Sequence, residues 1–404
     1  MGKHSEKEVK RKKSTKGSHK GLKVFLAIII MLIVAGAVLF ALDKFNIIDL
    51  SSVKDFIKNL KPAENSSYND NGGTKEPEKP VEKVDIIDLS SVNRPFAVSI
   101  NNTSPAVKVQ TGLNKAFLIY EIPTEGNTSR LLAFFKDIDE LTVGTIRSAR
   151  HNFLDYCFES DAIFCHFGHS VYATRDINST GIEDIDGFNL PSSATTFWRN
   201  NPEHLDYEHT AFTSIENLRE YATSKNFRLQ SETPEKTQVL KYNVSDVDLS
   251  EKEGAQSVIE VALPYGTGFN AAFKYNEETK MYERYRNGNL SVDHETQEPF
   301  SAKNIIIQKL SYTVLSDEKH CLDLKTVSSG EGYYITNGYA VPIKWSKSER
   351  RGKTTYTYLD GTEVEVSDGR TYIELFSTSK EVTLTPKPEP VETAEETTET
   401  VENN

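Results

Sequence analysis

Along the chain the spacing of apolar positions changes several times, and each change marks an element. Residues 24–42 (VFLAIIIMLIVAGAVLFAL) form an unbroken apolar run of about 19 residues, enough to cross a bilayer as one helix. Residues 43–93 turn polar, with Pro, Glu, Lys, Asn and Gly concentrated in 61–83, a composition that buries too little apolar surface to order itself. The heptapeptide IIDLSSV at 47–53 recurs at 86–92, so the spacer reads as lengthened by duplication.

Short apolar runs then predict strands over 97–100, 116–121, 130–136 and 143–147. From Ser148, a competent N-cap, Phe153, Leu154, Cys157 and Phe158 recur at helical spacing, and 162–167 returns as a nearly all-apolar strand. This predicts a strand-helix-strand crossover unit. A second helix is expected over 214–224, capped by Ser214, with Ile215, Leu218, Tyr221 and Ala222 on one face. Beyond a polar joint at 231–253 the runs are short, aromatic and β-branched: 258–263, 272–275, 281–285, 305–308, 333–336, 340–345, 354–358 and 372–376. Asn287-Gly288, Asp360-Gly361 and Asp368-Gly369 supply turns.

The expectation is therefore an α+β protein. An N-terminal α/β-type domain (94–230) with the strand-helix-strand crossover is followed by a mostly antiparallel β domain (254–384). One N-terminal transmembrane helix (24–42) separates a basic tail (1–23) from the linker (43–93), and an acidic disordered tail (385–404) closes the chain.

Charge fixes the topology of this plan. The first 42 residues hold nine Lys/Arg against two Asp/Glu, all before the apolar run or at its edge, while the whole chain carries a net charge of -12. The positive-inside bias places residue 1 in the cytoplasm and the acidic bulk outside, as a single-pass membrane protein. A cleavable signal peptide is the competing reading. An acidic exterior with no basic stripe argues against nucleic acid as a partner. Three cysteines, Cys157, Cys165 and Cys321, permit one intrachain pair at most, and buried free thiols are the expectation.

Chemistry concentrates in 144–150 (GTIRSAR) and 166–170 (HFGHS). Arg147 and Arg150 stand three residues apart where a helix is expected to open, so guanidinium groups and backbone donors could converge on an anion, with Arg130, Ser148, His166 and His169 around them. The competing reading pairs these arginines with Glu121, Glu125 or Asp161 as scaffold. Glu121 and Glu125 are the only candidates for acid-base work. His151, His166 and His169 lack the further Cys/His partner of a zinc site, so no metal is expected, nor a cofactor; Ser148 and Ser170 stand next to histidines, but no Gly-x-Ser-x-Gly elbow supports a serine nucleophile. Trp198, Trp345 and the tyrosines in 282–285 and 356–358 read either as sugar-stacking rings or as sheet packing.

Several blocks occur in a fixed order: Arg94-Pro95-Phe96-Ala97-Val98-Ser99-Ile100-Asn101-Asn102, Gln110-Thr111-Gly112-Leu113, Tyr120-Glu121 with Glu125-Gly126, Ser129-Arg130, 144–150, 166–170, Phe197-Trp198-Arg199, and 208–214. In this the chain resembles the YerB-like family of bacterial envelope proteins, a two-part domain of unknown function usually found on lipoproteins, over about 94–384. It departs at Asn127, where a second glycine is usual, at Thr145, where proline is usual, and in a membrane helix replacing the lipidated cysteine. The resemblance implies a cell-envelope domain without an assigned reaction. The plan is also similar to that of the LytR-CpsA-Psr phosphotransferases, by analogy of layout only.

The functional expectation is a binding or regulatory module, rather than an enzyme, for an anionic cell-wall or lipid-linked ligand. The alternatives are a phosphotransferase or hydrolase acting on a phosphate-linked glycan, and a regulator that binds an envelope synthase.

Overall fold

The computed structural model describes residues 83–191, 193–232 and 234–388. The expected basic tail, transmembrane helix and most of the linker and acidic tail lie outside the described residues. Among those described, no helix is long and apolar enough to cross a membrane.

The N-terminal half runs β1 (Phe96–Asn101), β2 (Leu118–Thr124), β3 (Thr128–Phe135), β4 (Thr142–Gly144), α1 (Phe153–Glu159), β5 (Ile163–His166), α2 (Val171–Thr180), β6 (Asp184–Asp186), β7 (Phe197–Arg199), β8 (Ala211–Ser214) and α3 (Ile215–Ser224). The C-terminal half is almost all strand. It runs β9 (Lys241–Asn243), β10 (Gln256–Ser257), β11 (Glu260–Gly266), β12 (Phe269–Asn276), β13 (Met281–Arg286), β14 (Asn289–Leu290), β15 (Ser301–Ala302), β16 (Asn304–Leu310), β17 (Tyr312–Val314) and β18 (Leu322–Leu324). It ends with β19 (Ser329–Thr336), β20 (Tyr339–Ser346), β21 (Thr355–Tyr358), β22 (Glu365–Ser367), β23 (Thr371–Ser377) and β24 (Thr383–Thr385).

One large sheet takes strands from both halves, in the order β10-β20-β19-β16-β23-β2-β3-β1-β5-β6, with β21 beside β20. The seam is β23, parallel to β2 on one side and to β16 on the other. Every residue of β2 and β23 is buried, which explains why both read as short apolar runs: strands covered on both faces have no polar side to show. Ile119, Leu131, Ala133 and Phe135 face one core, shared with a second sheet built on β11, β12 and β13. Tyr120, Leu132 and Phe134 face the other, where α1 contributes Phe153, Leu154, Tyr156 and Cys157.

The expected strand-helix-strand unit is corrected by one element. The strand before α1 stops at Gly144 and pairs with β8 in a separate three-stranded sheet, so α1 does not link neighbouring parallel strands. The unit is instead β5-α2-β6, whose two strands are parallel neighbours. Helix α2 was not anticipated, although its signals were present. Ser170 caps it by accepting from the Ala173 N–H at 3.2 Å, and Gly181 closes it in the left-handed conformation that glycine adopts at least cost.

Helix α1 begins at Phe153, not at Ser148. Its flanking Asn152 makes no side-chain cap, because Nδ2 donates to the Leu322 carbonyl at 2.7 Å and Oδ1 accepts from the Leu324 N–H at 3.2 Å. Helix α3 starts as its sequence implies, with the Ser214 hydroxyl accepting from Asn217 N–H.

The second half is less purely antiparallel than its turn chemistry suggests, since β16-β23, β2-β23 and β22-β9 are parallel. The linker also ends earlier than expected. Residues 84–92 pack on the fold: Ile87 is buried, the Asp85 and Ile86 N–H groups donate to Asp368 at 2.7 and 3.0 Å, and Lys136 Nζ donates to the Ser91 carbonyl at 2.8 Å. The second copy of IIDLSSV is therefore part of the folded domain, its isoleucine supplying apolar burial that the preceding polar stretch lacks. At the other end Thr385 closes β24, paired with Glu260, and so does not open the tail.

Candidate functional site

The stretch from Gly144 to Arg150 is extended backbone stitched between two strands. The Ile146 N–H donates to Ala211 O and the Arg147 N–H to Ser99 O, while the Ala149 N–H donates to Gly168 O. These bonds lay 147–149 alongside 167–170 and bring Arg147, Ser148 and His169 to one rim. They also occupy the Ile146, Arg147 and Ala149 donors, and no helix opens before Phe153, so the anion cradle expected at a helix start at Ser148 is not formed. Gly144 is needed for packing, because a side chain there would run into the Phe212 ring.

The arginines separate into two environments. Arg150 is buried and points Nε at Glu125 Oε2 at 2.8 Å, with Nη2 also donating to Glu125 Oε1. Arg130, equally buried, donates Nη1 to the Ser148 carbonyl at 2.8 Å and approaches Glu125 Oε1 at 3.5 Å. Burial works to raise the Glu125 carboxyl, but Arg150 and Arg130 outweigh it and hold the group down to about 2. Burial and the neighbouring Arg150 charge pull Arg130 well below its ordinary value. This is a scaffold cluster with two guanidinium groups on one carboxylate.

Glu121 lies elsewhere. It has no exposed surface and is bound by Arg284 Nη2 at 2.8 Å, Ser129 Oγ at 2.5 Å and Asn102 Nδ2 at 3.1 Å. His166 is buried between the Gly168 carbonyl (2.8 Å) and Asp184 (3.1 Å). His169 is half-exposed, with Nε2 3.4 Å from Asp186 and Nδ1 2.5 Å from Thr174 Oγ1. His151 lies against Asp323 at 3.4 Å, and no group of three metal-ligating side chains assembles among the described residues.

Arg147, Ser148 and His169 open instead onto a groove of about 360 Å³, walled also by Phe167, Phe188, Arg199, Tyr207, Glu208 and Lys319. Arg147 Nη2 donates to Glu208 Oε2 at 2.7 Å, and its Nε is buried without a hydrogen-bond partner. The Arg147 hydrogen bond lowers the Glu208 carboxyl from its ordinary value, outweighing a smaller burial effect. Arg199 lies over two rings, 4.4 Å from the Phe167 centroid and 3.8 Å from that of Tyr207, and donates Nη1 to the Tyr207 carbonyl at 2.7 Å. Among the described residues neither Arg199 nor Lys319 has a carboxylate within ion-pair distance. The groove thus gathers Arg147, Arg199 and Lys319 against one carboxylate.

Of the six residues expected to bind a ligand, three line this groove, while Arg130, Arg150 and His166 lie behind it. Arg199, Tyr207, Phe188, Glu208 and Lys319 were not anticipated as site residues. The cation flanked by aromatics in Phe197-Trp198-Arg199 was the available signal. Lys319 had none, because it arrives from the loop between β17 and β18.

Four of the other aromatics that read as stacking rings or sheet packing are structural. Trp345 is buried and its indole N–H donates to the Lys309 carbonyl at 2.9 Å, while Tyr282, Tyr356 and Tyr358 are buried in the sheets. Cys157, Cys165 and Cys321 are all free and buried.

Comparison with known proteins matches both halves of the chain to one family, a protein family of unknown function termed DUF3048. Its N-terminal domain matches residues 85–228 and its C-terminal domain residues 261–373. The chain is 29% identical over 286 residues to YerB of Bacillus subtilis (strain 168), named as a candidate lipoprotein, across 70% of this chain and 81% of that protein. The crystal structure of YerB from Bacillus subtilis matches with a TM-score of 0.61 and 26% identity, covering 73% of this chain and 95% of that one.

Proposed function

The chain belongs to the DUF3048 family of unknown function, and we propose that it is a membrane-anchored extracytoplasmic module that binds an anionic cell-envelope ligand in this groove. Arg147, Arg199 and Lys319 are the binding cations, with Ser148 and His169 as polar neighbours. One observation carries this reading: three cations line a partly apolar groove with a single carboxylate, Glu208, which pairs with Arg147 alone among them, whereas Arg130 and Arg150 both close on the buried Glu125. The anchor is the apolar run 24–42 with its nine preceding cations, which would span the membrane once and leave the groove outside. The candidate-lipoprotein relative supports the same side of the membrane by another means of attachment.

Hydrolysis or transfer at a phosphate-linked glycan is the second reading, favoured by Glu208, the one carboxylate in the groove. Its hydrogen bond from Arg147 makes that carboxylate a weaker base, which suits charge balance better than proton abstraction. A partner synthase, if it docks here, would meet the same cations.

The test is native mass spectrometry of the full-length protein released from its own membranes, beside an Arg147→Ala/Lys319→Ala variant with an unchanged thermal transition. A co-purifying anionic ligand that the variant loses is the expected result. Equal retention by both proteins, or no ligand on either, would count against the groove.

A further inference from the structure

The groove does not end at Arg199. A second pocket of about 360 Å³ adjoins it and shares Phe167, Phe188, Arg199 and Tyr207 as a common wall. Beyond that wall it is lined by Leu190, Pro191, Ala194, Phe197 and Trp198 with no further charged side chain. Charge thus lies on one side of Arg199 and ring surface on the other.

The rings are unusually open to solvent. Phe188 is 70% exposed, Tyr207 72% and Trp198 36%, three large side chains within one surface region. Such clustering is uncommon on a surface with nothing to bind. They are also firmly held. The Phe188 N–H donates to Asp186 Oδ1 at 3.0 Å, and that carboxylate also accepts from the Gly168 N–H at 2.6 Å. Trp198 stacks on Phe212 at 6.3 Å between centroids and 20° between planes, and Phe212 lies against Gly144, where a side chain would displace it. Gly187 likewise admits the Phe167 ring. The surface is preorganised, so its ordering cost falls on folding and not on binding.

We propose that the ligand of this groove, on the reading given above, is an acidic saccharide of at least two rings, its acid group held by Arg147 and Lys319 and an adjoining sugar ring laid on Trp198, Tyr207 and Phe188. A sugar presents a flat C–H face to an aromatic ring while its hydroxyl edges keep hydrogen bonds, which fits an open shelf interrupted by the Arg199 guanidinium. A lipid chain would need an enclosed apolar channel and would leave the Arg199 charge facing hydrocarbon without an anionic partner. A phosphodiester polymer without rings would use the cations and leave the shelf uncovered.

The chain has two tryptophans, and Trp345 is buried, so a change of tryptophan fluorescence on binding reports on Trp198. Three probes are titrated against the full-length protein in detergent: oligogalacturonate (rings and carboxylates), a glycerol-phosphate oligomer (anion without rings) and a neutral chito-oligosaccharide. Oligogalacturonate is expected to bind with a tryptophan shift, and to bind roughly tenfold more weakly to Tyr207→Ala, Trp198→Ala and Arg147→Ala/Lys319→Ala. Tyr207→Ala changes a side chain that is mostly in water, so it separates lost stacking from any loss of folding in Trp198→Ala. If Tyr207→Ala and Trp198→Ala bind like the parent while the cation variant does not, or if the ringless oligomer binds as tightly as the acidic sugar, the shelf is idle and only the anion reading survives. If the cation variant also binds normally, or none of the probes binds, both fall.

Discussion

Arg284 on β13 reaches across from the second sheet to Glu121 on β2, with 2.8 Å between Nη2 and Oε2 and no exposed surface on either side chain. Glu121 stands in register with Glu374 on the parallel neighbour β23, and Tyr265 donates its hydroxyl to Glu374 at 2.7 Å. Two groups from the second sheet therefore meet a pair of carboxyls at the seam that joins the two halves of the chain, the Arg284 guanidinium on Glu121 and the Tyr265 hydroxyl on Glu374.

Removing one member of such a pair leaves the other charge buried and uncompensated. Arg284→Met is expected to destabilise the protein by about 3–5 kcal/mol in denaturant unfolding, and adding Glu121→Leu should recover part of that loss. A single variant within about 1 kcal/mol of the parent would show that the contact carries little of the stability.

The contribution of Glu374 to stability varies with pH in the opposite sense to that of an ion-paired carboxylate. Burial first, and then the Glu121 charge, push its carboxyl well above the ordinary 4.5, so the folded state keeps a proton that the unfolded chain releases. Its contribution is fully favourable below the unfolded value and is lost as pH rises above about 4.5 toward the folded value. Glu374→Gln, which fixes the neutral form, should gain stability relative to the parent as pH is raised from 4.5 to 8. Thermal unfolding across that range checks it, and a constant difference would refute the assignment.

Glu125 gives the other limb. Its carboxyl is held down to about 2 by Arg150 and Arg130, so its stabilisation is present above the unfolded 4.5 and lost as pH falls between those values. Allowing for partial exposure, this is on the order of 2 kcal/mol. Glu125→Gln should be less stable than the parent at pH 7, with the difference shrinking toward pH 2 in acid titrations followed by circular dichroism.

Arg147 should behave differently from Arg150. Its partner Glu208 is 54% exposed, so Arg147→Ala is expected to cost less than about 1 kcal/mol of stability while weakening anionic ligands. Arg150→Ala should cost several times more stability, because it uncovers Glu125. Paired melting and binding measurements separate the two, and similar losses of stability in both would collapse the distinction between groove and scaffold.

The thiols should be inert. Burial pushes Cys157 and Cys165 well above the ordinary value, and burial with the nearby Asp317 takes Cys321 to about 11. Alkylation at pH 8 followed by intact-mass measurement should leave all three unmodified in the native protein and modify all three in denaturant. Native labelling of any one would contradict its buried position.

Much of the strand content was legible, because a strand covered on both faces must be a short apolar run whatever its neighbours are; β1, β2, β3, β16 and β23 illustrate this. Boundaries slipped where the chain stays apolar but changes partners. Residues 145–147 continue the pattern of β4, yet their hydrogen bonds pass to β1, β8 and Phe167 just past β5, so a continuous strand and a helix beginning at Ser148 were both reasonable local readings and both incorrect. Alternation on β13 could not tell which face was inward. The buried set is Tyr282, Arg284 and Arg286, and hydropathy alone would not turn two arginines toward a core.

By itself the sequence determined the two-part family plan, the apolar run with its basic flank, the free cysteines and the concentration of chemistry around 144–150, because each depends on residues close along the chain. The tertiary structure decided which charges neutralise one another. Arg150 met Glu125 across 25 positions and Arg147 met Glu208 across 61, while Lys319 arrived from the other half of the protein. Strand order and register set those distances, and an ion pair follows distance through space, which local periodicity does not encode.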